Sequence, residues 1–412
     1  MTLKRAFWVV GLVGLIPMVW ALYVRFFVHP DQSALGSVVP WGLHVSQYIY
    51  FVGLSAGAFL LSSLVYVAGM KRFAPVGRLA VFTAIVTLLL ALLTIGLDIG
   101  HLERFWHVFA FVNPRSPMAW MIWLYTVYLT LLIIEFWFLM RRDLVVAGAM
   151  PGWRGSVARI ARLRSRDLSE ASERRDAKVV RLLATVGVPL AVMFHGGVGA
   201  LFGVVASRPF WNSGMFPVIF LVSALASGGA LLVLASAIFQ EGWKAHKAMI
   251  VDLGKLVLLF LLLDIGFQFS DILIGVYGAD PAYMESLRLV VSGPYWYVFW
   301  IVQIGIGVLI PLLILGSPLR RDPRAVIVAS AAVVMGFVGV RLNIVIPGLS
   351  PEEIRGLTEA IADPRISSSY FPTMWEWLLS FGIVAVGLVI FGLGEIFLPL
   401  SHHLDDSEAQ PA

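Results

Sequence analysis

The chain reads as an all-α, polytopic integral membrane protein with ten transmembrane helices. Hydrophobic residues fill 59% of its 412 positions and charged residues only 13%, about half the charged share of a soluble domain. The apolar excess is gathered into runs of roughly 20–28 residues, long enough to cross a hydrocarbon core of about 30 Å. A barrel would show short alternating segments instead, and hydrocarbon admits no other regular backbone.

The first run, near 6–28, follows MTLKR. It is long and no small-residue cleavage site follows, so it is expected to stay as an anchor rather than leave as a signal peptide. Runs near 41–69, 76–101, 117–140 and 181–206 are expected to form one four-helix bundle. Those near 214–240, 248–277, 293–316 and 324–346 form a second, weakly similar one. A tenth run near 372–400 flanks the bundles together with the first. The division this implies is 1–40 for the first helix and its outer loop, 41–210 and 211–347 for the two bundles, and 348–412 for the last outer loop, the tenth helix and a polar, flexible tail.

Charge fixes the sidedness. One set of loops holds Lys4 and Arg5; Lys71, Arg72 and Arg78; eleven basic residues from Arg141 to Arg181; Lys244 and Lys247; and Arg320, Arg321 and Arg324, which is 21 of the 30 lysines and arginines. The positive-inside rule then puts both termini on the cytoplasmic side, and the membrane expected is a bacterial inner one. The net charge of +5 belongs to this asymmetry and carries no nucleic-acid signal. The long basic loop 141–180 reads as a topology anchor near anionic lipid, or else as a docking site for a cytoplasmic partner. The opposite face carries loops near 102–116, 207–213, 278–292 and 347–371, as a surface that something sits on would. In the last, Ser350, Pro351 and Glu353 resemble a capping box opening a short helix that ends by Pro364. There are no cysteines, so the chain offers no disulfide, no thiolate metal site and no protein-ligated iron–sulfur cluster. No metal site is expected.

Ionisable residues inside spans are costly and therefore functional candidates. His44, Gln47 and Tyr48 stand at the outer start of the second helix, on one face by their spacings of three and four. Asp98 and His101 stand at the outer end of the third. Tyr125 lies in the outer half of the fourth, and His195 about 16 Å deep in the fifth. This mixture suits a quinone, whose two carbonyls accept hydrogen bonds and then protons. His44 and Asp98 are the candidates for protonation; Gln47, Tyr48, His101, Tyr125 and His195 are candidates for the pocket. The plainer alternative is a polar network that ties helices together. Glu103 and Arg104 read as an interfacial pair, and Glu135 as a side chain snorkelling toward the cytoplasm. The seventh helix adds Asp264, Gln268 and Asp271 on one stripe, with Asp252 and Lys255 at its cytoplasmic entrance. These are proton-path candidates, with a buried structural network as the alternative. Arg341 and Asn343 complete a second polar site.

The stretches PWGLHVSQYIYFVGLSAGAFLLSSL, LDIGHLERFWHVFAFVNPRSPMAWMIWLY and YFPTMWEWLLSFGIVAVG resemble the NrfD, or polysulfide-reductase membrane-subunit, family over most of the chain. The length is similar to its ten-helix branch, which includes membrane subunits of hydrogenase-2, the sulfite-reduction-associated complex and alternative complex III; a shorter branch has eight helices. The resemblance implies a subunit without haem or cluster of its own that binds menaquinone or ubiquinone near the outer face. It implies a ferredoxin-like iron–sulfur partner docked on the periplasmic side, with a molybdopterin enzyme, a hydrogenase or multihaem cytochromes completing the complex. The family's quinone-site positions fall on His44 and Asp98, and on Gln47 and His101. Two other readings compete: a di-haem b-type cytochrome anchor, which needs facing histidine pairs, and a secondary transporter, which ten helices and Asp264 would allow.

Overall fold

A computed structural model describes residues 3–28, 33–239, 243–354, 356–361, 363, 365–398 and 400. The expected polar tail from 401 onward and the Pro364 helix stop lie outside the described residues. Ten long helices follow one another: α1 (Leu3–Tyr23, extended by a π-turn Val24–Val28), α2 (Leu43–Tyr66), α3 (Ala74–Asp98), α4 (Pro117–Ala147), α5 (Glu170–Gly203), α6 (Phe216–Ile238), α7 (Lys247–Gly278), α8 (π-helical over Val298–Leu309, then α-helical over Ile310–Leu315), α9 (Pro323–Leu349) and α10 (Met374–Phe397). Among the described residues, nine helices are long and apolar enough to cross a membrane. The tenth expected span, α7, has 32 residues but interrupts its apolar run with Asp252, Lys255, Asp264 and Asp271.

Local chemistry sets the helix starts. Ser116 caps α4 by accepting from the Ala119 N–H (3.3 Å), Ser169 caps α5 from Ser172 (3.2 Å) and Asp322 caps α9 from Arg324 (3.0 Å). Prolines sit in the first turn of α3, α4, α6 and α9, where a missing N–H costs nothing. The capping box expected at Ser350 is not formed. Pro347 lies inside α9, the helix runs on past it, and the Ser350 hydroxyl turns back to the Ile346 carbonyl at 3.0 Å. The short outer helix is Leu357–Ala360, opened by the Glu352 carboxylate, which accepts from Gly356 and Leu357. A complete capping box occurs instead at Thr373 and Glu376, at the start of α10.

The long basic loop is mostly helix. α4 runs on to Ala147, a separate helix covers Trp153–Ala161, and α5 starts at Glu170, eleven positions before the apolar run does. The reason is a buried guanidinium. Arg141 donates to Asp176, Ser165, Ser172 and the Asp167 carbonyl, and satisfied in this way it holds the polar ends of α4 and α5 together. Glu135, one turn and a half earlier, does not snorkel. It is fully buried and neither carboxyl oxygen has a partner among the described residues.

α2 stands at the centre, packed on α3, α5, α6, α9 and α10. α2 to α5 pack among themselves, α6 to α9 among themselves, and α1 pairs with α10 against α3. The two groups meet where α2 crosses α6. A Cβ on Gly57 would fall 1.9 Å from the Ala224 carbonyl oxygen, and one on Gly228 would fall 2.7 Å from the Ala58 nitrogen. Only glycine lets the backbones come this close, and in lipid such close packing is what holds helices together.

Candidate functional site

His44 opens the site, in the first turn of α2. Gly42 just before it leaves room for the Tyr370 ring, which a Cβ would strike at 2.3 Å. The Tyr370 hydroxyl accepts from the Leu43 N–H (2.9 Å) and donates to Glu376 Oε1 (2.7 Å). Burial, and then the negative charge of Glu376, push the Tyr370 phenol well up from its ordinary value, so it stays a donor. Glu376 Oε2 accepts from the N–H groups of Thr373 (2.8 Å) and Ala34 (3.2 Å). One buried carboxylate thus locks the start of α10, the outer loop and the start of α2 together.

Held there, His44 is 3% exposed. Its Nδ1 faces Asp98 Oδ1 at 3.3 Å, and Asp98 is the last residue of α3. A carboxylate beside Nδ1 favours the tautomer with its proton on that nitrogen. Nε2 is then the basic nitrogen, buried and without a partner among the described residues. Gln47, one turn on, donates to the Ser380 carbonyl of α10 (2.9 Å), while its Oε1 and the Ser380 hydroxyl are also buried without partners among those residues. A cleft of about 10 Å³ lies between α1, α2 and α10, lined by Ala21, Arg25, Ser33, His44, Trp375, Glu376 and Leu379. It has room for about one water molecule.

The remaining candidates divide. Tyr48 and Tyr125 share a hydrogen bond between hydroxyls, and Tyr125 packs edge-on against Phe194 with ring centroids 4.5 Å apart; Tyr48 stands one turn after His44 on α2. His101 leaves the group. α3 ends at Asp98 and Ile99 is extended, so the three-residue spacing no longer places both side chains on one face. His101 is exposed and bonds Glu103 at 3.0 Å, whose carboxyl is held below its ordinary value by a backbone N–H and then by His101. His195 is also apart. Its Nε2–H donates to the Phe220 carbonyl (2.8 Å), and it shares with Arg341 the space beside Gly53, at the junction of α2, α5, α6 and α9. Arg341 donates to Ser223 (2.9 Å) and lies 4.4 Å over the Phe220 ring.

On α7, Asp252 pairs with Lys255 (2.7 Å) and Arg72 (3.8 Å). Asp264, buried, accepts from Gln268 (2.6 Å), and Asp271 accepts from the Ser213 hydroxyl. The entrance pair and the stripe are two separate groups. Leu256 to Leu263 are all apolar and separate Lys255 from Asp264 by about 13 Å of helix. From Gln268 the bonding turns sideways, through Gln303 of α8 (3.0 Å) to Asn343 of α9 (2.7 Å).

Two polar residues escape a reading of the sequence. Glu376 sits in a tryptophan-flanked segment where an acid reads as a helix cap, which it also is. Gln303 sits in an otherwise apolar run, and only its neighbours give it a role.

The sequence matches the model of the family described as polysulphide reductase, NrfD, over residues 31–351. The chain belongs to the NrfD family. The match spans α2 to α9 and leaves α1 and α10 outside, so the His44 cleft joins the matched core to the flanking pair. Among NrfD-like relatives, a selenate reductase subunit of Mesobacillus selenatarsenatis is 36% identical, over 96% of this chain and 94% of that one. The Hdr-like menaquinol oxidoreductase integral membrane subunit of Archaeoglobus fulgidus is 28% identical, over 93% and 91%. The menaquinone reductase integral membrane subunit of Nitratidesulfovibrio vulgaris is 23% identical, over 92% and 88%. The protein is a multi-pass membrane subunit of the oxidoreductase type.

Proposed function

We propose that this chain is the quinone-handling membrane subunit of a respiratory oxidoreductase, passing electrons between a menaquinone or ubiquinone pool and an iron–sulfur partner on the outer face. It would lie in a bacterial inner membrane, with α7 as the tenth span and both termini in the cytoplasm. The observation that carries the reading is His44: a buried imidazole held by Asp98 on one nitrogen and bare on the other. Relatives named for menaquinol or menaquinone support the ligand class.

The residues fit the reduced, hydroxyl-bearing ring by chemistry, since His44 Nε2 and Gln47 Oε1 could accept from its hydroxyls and the Ser380 hydroxyl could donate, and all three are buried and lack partners among the described residues. A ring needs more room than this cleft of about 10 Å³ has, so binding would require the cleft to widen. A bound quinone supplies two-electron, two-proton redox chemistry. His44 Nε2 takes or gives the proton at the ring oxygen, Asp98 stabilises the imidazolium that forms, and the partly exposed Asp98 side chain passes the proton toward the outer surface. Glu376 and Tyr370 position α2 for this and do not touch the ring.

The loop after α3 supports the docked partner. Phe105, Trp106, Phe109, Phe111 and Val112 are all exposed there, and such an apolar patch beyond the helix ends fits a protein face. Proton passage along α7 is a separate matter, for Asp252, Lys255, Asp264, Gln268 and Asp271 would need water across the Leu256–Leu263 stretch.

The test is to purify the chain with its native complex, take a reduced-minus-oxidised spectrum and quantify extracted quinone. Bound quinone that is lost in His44→Ala is the expected result. Haem remaining with this chain alone would promote the cytochrome reading, and solute uptake by liposomes without quinone would promote the transporter.

A further inference from the structure

The connection between α4 and α5 carries an amphipathic face at the basic end of the molecule. Its helix, Trp153–Ala161, packs on α4 and α10. At its start the Trp153 ring meets Phe397, the last residue of α10, edge-on with centroids 4.9 Å apart. At its end the Ala161 carbonyl accepts from Trp137 Nε1 of α4 (2.9 Å), one turn short of Arg141. Both anchors are aromatic residues near the end of a span, so the helix lies along the membrane boundary. Gly155 and Ala158 are buried toward the bundle. On the opposite side Trp153 and Ile160, seven residues apart, share one face. Ile160 is 78% exposed, and Met150 and Leu163, just outside the helix, are exposed too.

The charges beside this face are unbalanced. Asp143 pairs with Arg78, Asp176 with Arg141, Glu173 with Arg142 and Glu170 with Arg174. The Asp167 carboxylate accepts from the Ser169 N–H at 2.9 Å. Every acid from Asp143 to Asp176 is thus engaged. Arg159 bonds the Ser156 hydroxyl at 2.7 Å, and the Arg162 Nε is buried with no partner among the described residues. Among those residues Arg159, Arg162, Arg164 and Arg166 have no carboxylate partner. Four like charges within eight positions call for an anion from outside the chain.

We propose that this connection is a binding surface for an anionic phospholipid of the adjoining leaflet, with Arg159, Arg162, Arg164 and Arg166 on its phosphodiester headgroup and Ile160 and Leu163 among its acyl chains. An arginine-rich helix with tryptophan and isoleucine on one side sinks into the boundary between headgroups and chains. Guanidinium groups suit the headgroup because each offers paired N–H donors to two phosphate oxygens. The aromatic anchors at the span ends favour lipid over a soluble acidic protein. Bound lipid would brace the segment whose Ser165 and Asp167 hold Arg141. This inference does not depend on the role given to His44.

The chain has no cysteine, so a single introduced thiol takes a spin label cleanly. The full chain carrying Ile160→Cys is labelled in nanodiscs of mixed phosphatidylcholine and phosphatidylglycerol. Arg174→Cys is the water-facing reference, since its side chain is 79% exposed. Oxygen, which concentrates in lipid, should relax the Ile160 label more than a water-soluble nickel chelate does, and the order should reverse at Arg174. An Ile160 label that behaves like the Arg174 one overturns the proposal and points to a face for a soluble protein. Headgroup choice is read by native mass spectrometry of the full chain titrated with each lipid. Phosphatidylglycerol should bind on the order of tenfold more tightly than phosphatidylcholine. Arg159→Gln, Arg162→Gln, Arg164→Gln and Arg166→Gln together should bring the ratio near one. Arg320→Gln, Arg321→Gln and Arg324→Gln together, at another basic loop, should leave most of it. Equal binding of the two lipids by the unmodified chain overturns the proposal without any variant. Equal losses in the two sets of variants would mean diffuse attraction to positive charge, with no site here, and overturn it as well.

Discussion

The two polar regions at this end of the molecule differ in what they can do with a proton. Around His44 the groups are an imidazole and a carboxylate, 3.3 Å apart, and both are side-chain types that give and take protons. Around Asn343 three amides in series lead to the buried carboxyl group of Asp264. Amides do not titrate, so that line transmits polarity without moving a proton. The lesson is that a buried polar cluster in a membrane protein does not by itself mean proton chemistry. The side-chain types in the cluster decide it.

The largest test of the comparison acts on the frame that holds both regions. Gly57→Leu would drive a side chain into the α6 backbone, costing roughly 3 kcal/mol or more; folded protein by size-exclusion chromatography should fall sharply. Recovery at the wild-type level would mean that α2 and α6 are not pressed together as described. Next is His44→Ala, expected to slow quinone-linked electron transfer by about 10²–10³-fold, while the electron carriers of the complex remain reducible by artificial dyes. Turnover close to wild type would remove the distinction between the two regions. Asp98→Asn should cost less, on the order of tenfold, because the imidazole remains and loses only its ion pair; a shift in the pH profile separates this from simple misfolding.

His101→Ala should change turnover by less than about twofold, since its side chain is exposed and bonded within the outer loop. A large loss would return it to the pocket. The smallest effect concerns the last outer loop. Asp363 bonds the Arg365 side chain and backbone, which lower its carboxyl to about 2. A carboxyl depressed in the folded state adds stability that is present above its unfolded value and is lost as pH falls through the folded one. Carboxyl NMR should therefore show Asp363 still ionised at about pH 3; titration near 4, the ordinary aspartate value, would show that the Arg365 contact is not kept in solution.

Much of this was legible in the residues. The apolar runs gave the helices because lipid leaves the backbone little choice, and His44 with Asp98 stood out as ionisable groups at two helix ends on one side. The misses share a cause. His101 counted as helical by spacing, but the chain left the helix at Ile99. Glu135 and Arg141 lie near one membrane edge, where a one-dimensional reading sends charge to water; the fold buries Arg141 in a full set of acceptors and leaves Glu135 unpaired among the described residues. On α7 the stripe bonds along itself only from Gln268 to Asp264, while Asp271 turns to Ser213 and Gln268 continues to α8 and α9; no pattern within a single helix reports a neighbour's glutamine.

The crossing of α2 and α6 has a consequence for biogenesis. The ribosome delivers α2 some 170 residues ahead of the helix that must press against Gly57. Until α6 enters the bilayer, that face has no mate, and α3 to α5 must assemble around a helix whose central seam is still open to lipid. A nascent chain arrested after Gly203 would carry the His44–Asp98 pair but not the partner against which α2 is finally set. Insertion of α6 is thus the step at which both halves acquire a common geometry.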